Sequence, residues 1–161
     1  MLCGGMMKKT ILIMAVLLVI CIHSAFTWGV GIQGGADIIN GGSGVGGITF
    51  KLDTVDLIFG VEIPSFNPFA IGITADYWFF DKTIVEPLGW FFGVGGFVSA
   101  FIGNNSSAVG FGARVPVGLH LFPIDFFEIY LQGAPGIQIT VANGVRPSFI
   151  FPLNLGLRFW F

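Results

Sequence analysis

The sequence predicts an all-β protein: a closed antiparallel transmembrane β-barrel of about eight strands, preceded by a signal peptide. Three observations lead to this prediction. The 161 residues are 54% hydrophobic and only 10% charged, whereas a water-soluble domain carries about 25% charged residues. Apolar residues recur at every second position after residue 27, and an apolar segment typical of exported precursors precedes them. The chain is therefore divided into a signal peptide, 1–27, and a barrel, 28–161.

The signal peptide is predicted from the order of its parts. Lys8 and Lys9 precede the unbroken apolar run Ile11–Ile22, and small or polar residues follow it, as in a secretory signal. The run is too short to span a bilayer, which takes about 20 residues. The cleavage site is left open. Lipid attachment at Cys21 is also left open, because bulky Ile20 stands where a lipoprotein signal has a small residue.

Transmembrane helices are the alternative that a mean hydropathy of +0.87 suggests. The best candidate after residue 27 is Leu88–Ile102, which contains four glycines and is shorter than the about 20 residues that a helical span requires. The 25 glycines and 8 prolines of the chain suit strands, bulges and turns better than helix interiors. The composition therefore favours strands.

Eight segments of alternating polarity follow the signal peptide. They are 28–36, 44–52, 55–63, 70–80, 88–101, 109–122, 127–140 and 148–161. Each has one apolar face, and no Asp, Glu, Lys or Arg falls on any of these faces. Since a Lys or Arg facing lipid at mid-membrane costs about 2–4 kcal/mol, this absence is typical of a membrane barrel. A soluble barrel would have the opposite pattern, with charge outside.

The connection between the second and third segments offers a test of register. A two-residue hairpin at Asp53-Thr54 would pair apolar residues on one face. On the other face it would place Lys51 opposite Asp56. We therefore expect an ion pair between these two side chains inside the barrel.

Outward-facing aromatic residues gather at one end of the predicted barrel, the end at which the chain enters and leaves it. Aromatic girdles of this kind mark the membrane interface. The predicted girdle consists of Trp28, Tyr77, Phe79, Trp90, Phe92, Phe127, Phe159 and Phe161.

The inward faces combine glycines with polar and charged residues. The predicted polar network consists of Lys51, Asp56, Glu62, Asp76, Arg114, His120, Glu128, Tyr130, Gln132, Asn154 and Arg158. Because an eight-stranded barrel is just wide enough for side chains to fill, we expect a plug of hydrogen bonds and ion pairs. The alternative is a narrow cavity for a small apolar ligand, left by the inward glycines and lined by Trp78, Phe80, Phe91, Phe97 and Phe122. The sequence does not separate the two.

Other kinds of site are not expected. His120 could face Glu128 or Tyr130, but no nucleophile is placed near it, so we expect neither an enzyme nor a catalytic residue. No metal-ligand cluster or nucleotide-binding motif is recognised, and no cofactor is expected. The net charge of −2 provides no basic patch, which argues against nucleic acid as a partner.

The last segment carries a resemblance to a known class. It ends in Phe161 and places apolar residues at alternate positions before it, namely Leu153, Leu155, Leu157 and Phe159. This pattern resembles the C-terminal assembly signal of small eight-stranded outer-membrane barrels such as the OmpA transmembrane domain, OmpX and OmpW. A separate family of the same architecture fits equally well. The resemblance implies a monomer in outer-membrane lipid, delivered by periplasmic chaperones and the barrel-assembly machinery.

The sequence thus predicts an outer-membrane barrel with a structural or membrane-integrity role. A narrow channel or transporter for a small or apolar solute is the alternative. A surface-binding, adhesin-like module comes third, because the predicted outward loops are short and nearly uncharged.

Overall fold

The computed structural model describes residues 28–40, 44–66, 69–103 and 107–161, so the predicted signal peptide lies outside the described residues. These residues form one antiparallel sheet of eleven strands. The strands are β1 (Trp28–Asp37), β2 (Val45–Leu52), β3 (Leu57–Phe66), β4 (Phe69–Val85), β5 (Leu88–Ile102), β6 (Ser107–Arg114), β7 (Val117–Ile124), β8 (Phe127–Gly133), β9 (Gly136–Val141), β10 (Val145–Ile150) and β11 (Pro152–Trp160). Within the described ranges, no helix has the length and apolar character needed to cross a membrane.

The eleven strands make eight barrel strands, because three long strands are each interrupted once. β6 and β7 form the sixth barrel strand, β8 and β9 the seventh, and β10 and β11 the eighth. The interruptions fall at or beside Pro116, Pro135 and Pro152, since proline lacks the N–H that a sheet ladder needs. The strands still bond to each other there: the Val115 N–H donates to the Pro135 carbonyl at 2.9 Å.

The sheet closes on itself. β1 pairs with β2 on one side and with β11 on the other, and β5 pairs with both β6 and β7. Trp28 and Phe161 meet where the barrel begins and ends, and the Phe161 N–H donates to the Trp28 carbonyl at 2.9 Å. We call this the termini end, and the opposite end, with the connections after β1, β3, β5 and β9, the loop end. The predicted closed barrel of eight strands is confirmed.

The faces of the strands also follow the prediction. Outward apolar residues are exposed, as at Ile32 (62%), Ile48 (61%) and Ile73 (58%), whereas inward polar residues such as Thr49 (2%) and Arg158 (0%) are buried. A soluble protein would not combine an apolar exterior with a charged interior, because neither arrangement is favourable in water. The alternation is that of a membrane barrel.

The predicted two-residue hairpin between β2 and β3 is wrong. The connection is the 3₁₀ turn Asp53–Val55 followed by Asp56, whose backbone is left-handed with a φ of 48°. Lys51 therefore pairs with Ile58 in the ladder, two positions beyond the predicted partner Asp56. A shift of two preserves the faces but changes the partners. Asp56 lies in the turn, and the carboxylate that Lys51 contacts is that of Asp81 in place of the predicted Asp56.

A β-bulge in β4 reverses the alternation of that strand. Trp78 and Phe79 together stand opposite Gly93 of β5, which is the two-against-one arrangement of a bulge. Past the bulge, Asp81 rather than Phe80 points into the lumen. β4 also continues to Val85, beyond its predicted end at residue 80. The extra length brings a carboxylate into the interior at the termini end.

Candidate functional site in the barrel lumen

Aromatic rings fill the half of the lumen nearer the termini end. Trp78 of β4 and Phe91 of β5 stack with centroids 3.5 Å apart and planes 7° apart, and both are 0% exposed. Tyr130 of β8 is also buried. A methyl group on Gly156 would overlap the Tyr130 ring, and one on Gly118 would overlap the Phe91 ring. Glycines therefore stand opposite bulky residues to admit them.

A buried ion pair lies beside these rings. Arg158 Nη1 lies 2.8 Å from Glu128 Oε2, and both side chains are 0% exposed. Trp160 Nε1 donates to the same oxygen at 2.9 Å, and the Arg158 guanidinium lies 4.6 Å from the centre of the Tyr130 ring. Charges buried this deeply need such partners. We call this filled region the plug, defined as Trp78, Phe91, Glu128, Tyr130 and Arg158.

A second polar cluster borders the plug at the termini end. Asp81 accepts from Lys51 Nζ at 2.8 Å through Oδ2, and its Oδ1 lies 2.9 Å from His120 Nε2. The Lys51 ammonium also lies 4.3 Å from the centre of the Trp78 ring, within the range of a cation–π interaction. The Asp81 carboxylate thus contacts two basic side chains, and one of them, Lys51, also contacts Trp78 of the plug.

Sequence reasoning missed Asp81 as a member of this cluster. The strand was predicted to end at residue 80, and strict alternation would have turned Asp81 outward. One signal was available: Thr83, Ile84 and Val85 are β-branched and stand before Glu86-Pro87, which favours a longer hairpin. The bulge that turns Asp81 inward has no comparable signal in the sequence.

Another polar group occupies the middle of the lumen. Arg114 donates to both oxygens of Asp76, at 2.9 and 2.7 Å, in the bidentate geometry that suits a guanidinium. Gln33 Nε2 donates to Glu62 Oε1 at 2.7 Å, and the Tyr130 hydroxyl donates to Gln33 Oε1 at 2.9 Å. Gln33 therefore links the plug to the polar residues nearer the loop end.

The structure brings most of the predicted network together, with partners that differ from the prediction. Gln132 and Asn154 are buried opposite each other in the β8–β11 ladder. His120 stands opposite Tyr130 in the ladder but contacts Asp81. Asp56 is the exception, since it lies in the β2–β3 turn. Contacts inside the lumen join Lys51, Glu62, Asp76, Arg114, His120, Glu128, Tyr130 and Arg158.

An open cavity of 410 Å³ occupies the lumen at the loop end. Its walls include Phe97, Phe101 and Ile150, and its polar lining includes Glu62 and Arg114. The lumen thus has two parts, a plug at one end and a cavity at the other. The predicted plug occupies one half, and the cavity in the other half shares only Phe97 with the predicted apolar lining.

The aromatic residues predicted to line a cavity divide between these parts. Phe97 lines the loop-end cavity, whereas Trp78 and Phe91 belong to the plug. Phe122 packs near His120, with centroids 5.4 Å apart. The prediction for Phe80 is wrong: its ring lies 4.6 Å from that of outward-facing Trp90, because the bulge turns it away from the lumen.

The predicted girdle residues lie near the termini end and contact one another across strands. Three ring pairs have centroids 4.9 to 5.0 Å apart. They are Trp28 with Phe161, Phe79 with Phe92, and Phe127 with Phe159. Tyr77 and Trp90 are exposed on the same outer surface.

The residues of the predicted assembly signal lie on the outer face of β11 and at Phe161, which follows it, and they alternate with inward-facing residues. The outward set is Leu153, Leu155, Leu157, Phe159 and Phe161. Asn154, Gly156 and Arg158 between them are buried in the lumen. The last strand therefore presents one continuous apolar face to the outside.

His120 and the two serines considered with it lie in different parts of the lumen. Across the described ranges, no three His, Cys, Asp or Glu side chains come close enough to hold a metal ion. His120 contacts Asp81, but Ser99 and Ser148 line the loop-end cavity at the other end of the barrel. A nucleophile, a base and an orienting group are needed together, and these residues do not meet.

Comparison with known proteins supports the fold. No family model and no curated protein matches the sequence. Among solved structures, the N-terminal β-barrel domain of Pseudomonas aeruginosa OprF is similar with a TM-score of 0.61 and 14% identity. Neisserial surface protein A (NspA) is similar with a TM-score of 0.52 and 17% identity. Each alignment covers 84% of this chain and 97% of the other. The chain has the fold of the small eight-stranded outer-membrane barrels.

Proposed function

We propose that this protein is an integral outer-membrane barrel with a structural, membrane-integrity role. The exposed apolar exterior supports a lipid environment, because water would not favour such a surface on a folded domain. The fold shared with OprF and NspA supports the outer membrane as the location. We further propose that it is a monomer, exported by its N-terminal segment and received by periplasmic chaperones and the barrel-assembly machinery through the apolar face of β11.

The plug is the observation that favours a structural role over conduction. Its residues, Trp78, Phe91, Glu128, Tyr130 and Arg158, come from four different barrel strands and are at most 1% exposed. Side chains that meet from several walls obstruct the cross-section of a narrow barrel. A channel would require the Arg158–Glu128 pair to separate inside the lumen, and breaking a buried pair costs several kcal/mol.

Cell fractionation and single-channel recording test this proposal. The full chain, expressed in a Gram-negative host, should enter the outer-membrane fraction and show heat-modifiable gel migration. In planar bilayers the purified protein should be silent. Trp78→Ala and Phe91→Ala combined with Glu128→Ala and Arg158→Ala should produce discrete openings, because both the stacked rings and the buried ion pair are removed.

Phe97→Ala is the matched control, since it removes a ring from the loop-end cavity and leaves the plug intact; it should stay silent. Steady conductance by the unaltered protein would overturn the structural role in favour of a channel. Recovery in the inner membrane or the soluble fraction would overturn the location.

A further inference from the structure

We propose that the loop-end cavity is a binding site for a small amphipathic cation, an ammonium group on an apolar body, and that Glu62 receives the ammonium. This inference goes beyond the structural role, because binding in a blind cavity requires no passage through the plug. The cavity volume of 410 Å³ lies within the about 300–1,000 Å³ typical of small-molecule sites.

The space in this cavity is not explained by packing. Elsewhere in the lumen, a methyl group on a glycine such as Gly118 or Gly156 would overlap a neighbouring ring. At Gly72, which lines the cavity, the nearest atoms to an added Cβ would be at 3.8 and 3.9 Å, an ordinary van der Waals distance. No bulky side chain requires a glycine at this position. Gly72 leaves room that a larger residue could occupy.

The charges around the cavity favour a cation over an anion. Arg114, its only basic lining residue among those described, donates two hydrogen bonds to Asp76. A third nitrogen, Nη1, lies 4.0 Å from Glu62 Oε1. An anion would therefore compete with two carboxylates for this guanidinium and would be repelled by both.

Glu62 is the carboxylate placed to receive a cation. Gln33 holds its Oε1 at 2.7 Å. The other oxygen, Oε2, lies on the cavity side, 3.9 Å from the Cβ position of Gly72. Asp37, at the rim, is already used: its oxygens accept from the Ile39, Asn40 and Phe151 N–H groups and from Asn40 Nδ2. Glu62 Oε2 remains as the acceptor for an ammonium.

The apolar walls suit the rest of such a ligand. Phe97, Phe101 and Ile150 line the cavity, so an aromatic or branched aliphatic body would bury its surface against them. Aromatic faces also attract a nearby cation. One available carboxylate beside apolar walls favours a monovalent amphipathic cation over a metal ion, because a metal ion needs several oxygen ligands.

Titration with three matched probes tests the inference. 2-Phenylethylammonium carries the cation, 2-phenylethanol is neutral, and 3-phenylpropionate is the anion. Calorimetry uses the full, host-processed protein in lipid nanodiscs, with empty nanodiscs as the blank. We expect saturable one-to-one binding of the ammonium probe and affinities for the other two that are weaker by about tenfold or more.

Two variants locate the site. Glu62→Gln should lower the affinity for the ammonium probe by about tenfold or more. The control is Glu86→Gln, the same change in the exposed turn at the termini end, which should leave that affinity unchanged. Gly72→Leu, which fills the cavity beside Glu62 without substituting a charged residue, should abolish binding. Heat-modifiable migration verifies that each variant is folded.

Equal affinity for all three probes, tighter binding of the anion, or full binding by Gly72→Leu would overturn the inference. So would an absence of saturable binding by the unaltered protein. Since conductance is recorded separately, a silent barrel without binding contradicts only this inference, and a conducting barrel contradicts the structural role alone.

Discussion

Asp81 holds together the polar cluster at the termini end, because two basic side chains depend on its carboxylate. Lys51 is 3% exposed and lies 2.8 Å from one oxygen, and His120 is 9% exposed and lies 2.9 Å from the other. Asp81 itself is 22% exposed, so solvent screens part of the interaction. Removing its charge would leave a buried ammonium over Trp78 without a carboxylate partner.

We expect Asp81→Asn to lower the free energy of unfolding by about 1–3 kcal/mol, the cost of leaving buried charged groups poorly satisfied. Asp125→Asn, the same change in the exposed turn between β7 and β8, should stay within about 0.5 kcal/mol of the unaltered protein. Urea unfolding in lipid vesicles, followed by tryptophan fluorescence, measures both. Adding Lys51→Met to Asp81→Asn should restore part of the loss. Equal effects of the two aspartate substitutions would contradict the assigned role of Asp81.

At the scale of single residues, the least predictable feature was which side chain each lumen residue contacts. The alternation correctly placed Lys51, Glu128 and Arg158 inside the barrel, because side-chain direction follows from the two-residue period alone. The partner of Lys51 depends on a register set by the β2–β3 turn and on a bulge in β4. The register depends on the backbone conformation at Asp56, and the bulge on that at Trp78. Neither conformation can be inferred from the alternation of apolar and polar residues.

The bulge in β4 is the main departure from regular geometry at the scale of the strands. It makes the outward positions odd-numbered up to Phe79 and even-numbered from Phe80. The eight segments themselves were predictable, since each must keep one face apolar over its whole length to contact lipid. The one-residue bulge leaves almost no trace in the sequence pattern. Residues 77–80 are all aromatic, and an aromatic side chain is acceptable on either face of the strand.

Spin labels introduced through cysteine can detect this reversal, since residues 28–161 contain no native cysteine. Labels at Ile73 and Tyr77 should be accessible to oxygen dissolved in the lipid, and a label at Thr74 should be protected. Past the bulge, we expect a label at Lys82 to be accessible and one at Asp81 to be protected. Power-saturation EPR in vesicles measures this. Lipid accessibility that continues at odd positions, with Asp81 exposed and Lys82 protected, would rule out the bulge.

At the scale of the whole barrel, the division of the lumen into a plug and a cavity could not be predicted from sequence. The inward glycines had two explanations with the same composition: room for bulky partners, or space left open. The distances from an added Cβ to its neighbours distinguish the two explanations. At Gly156 and Gly118 the added atom would overlap an aromatic ring, whereas at Gly72 it would not. Which glycine meets which ring depends on the stagger of eight strands around the barrel, and that stagger is set jointly by all the turns.

The same substitution at two glycines therefore has opposite expected effects. Gly72→Ala should raise the free energy of unfolding by about 0.4–1 kcal/mol, because it restricts the unfolded chain and meets no clash in the cavity. Gly156→Ala should lower it by about 1–3 kcal/mol, since the methyl group would force the Tyr130 ring out of the plug. Urea unfolding in vesicles of one lipid composition compares them. Equal destabilisation of both variants would mean that packing requires glycine at position 72 as it does at position 156. The loop-end cavity would then not be space that the fold leaves open.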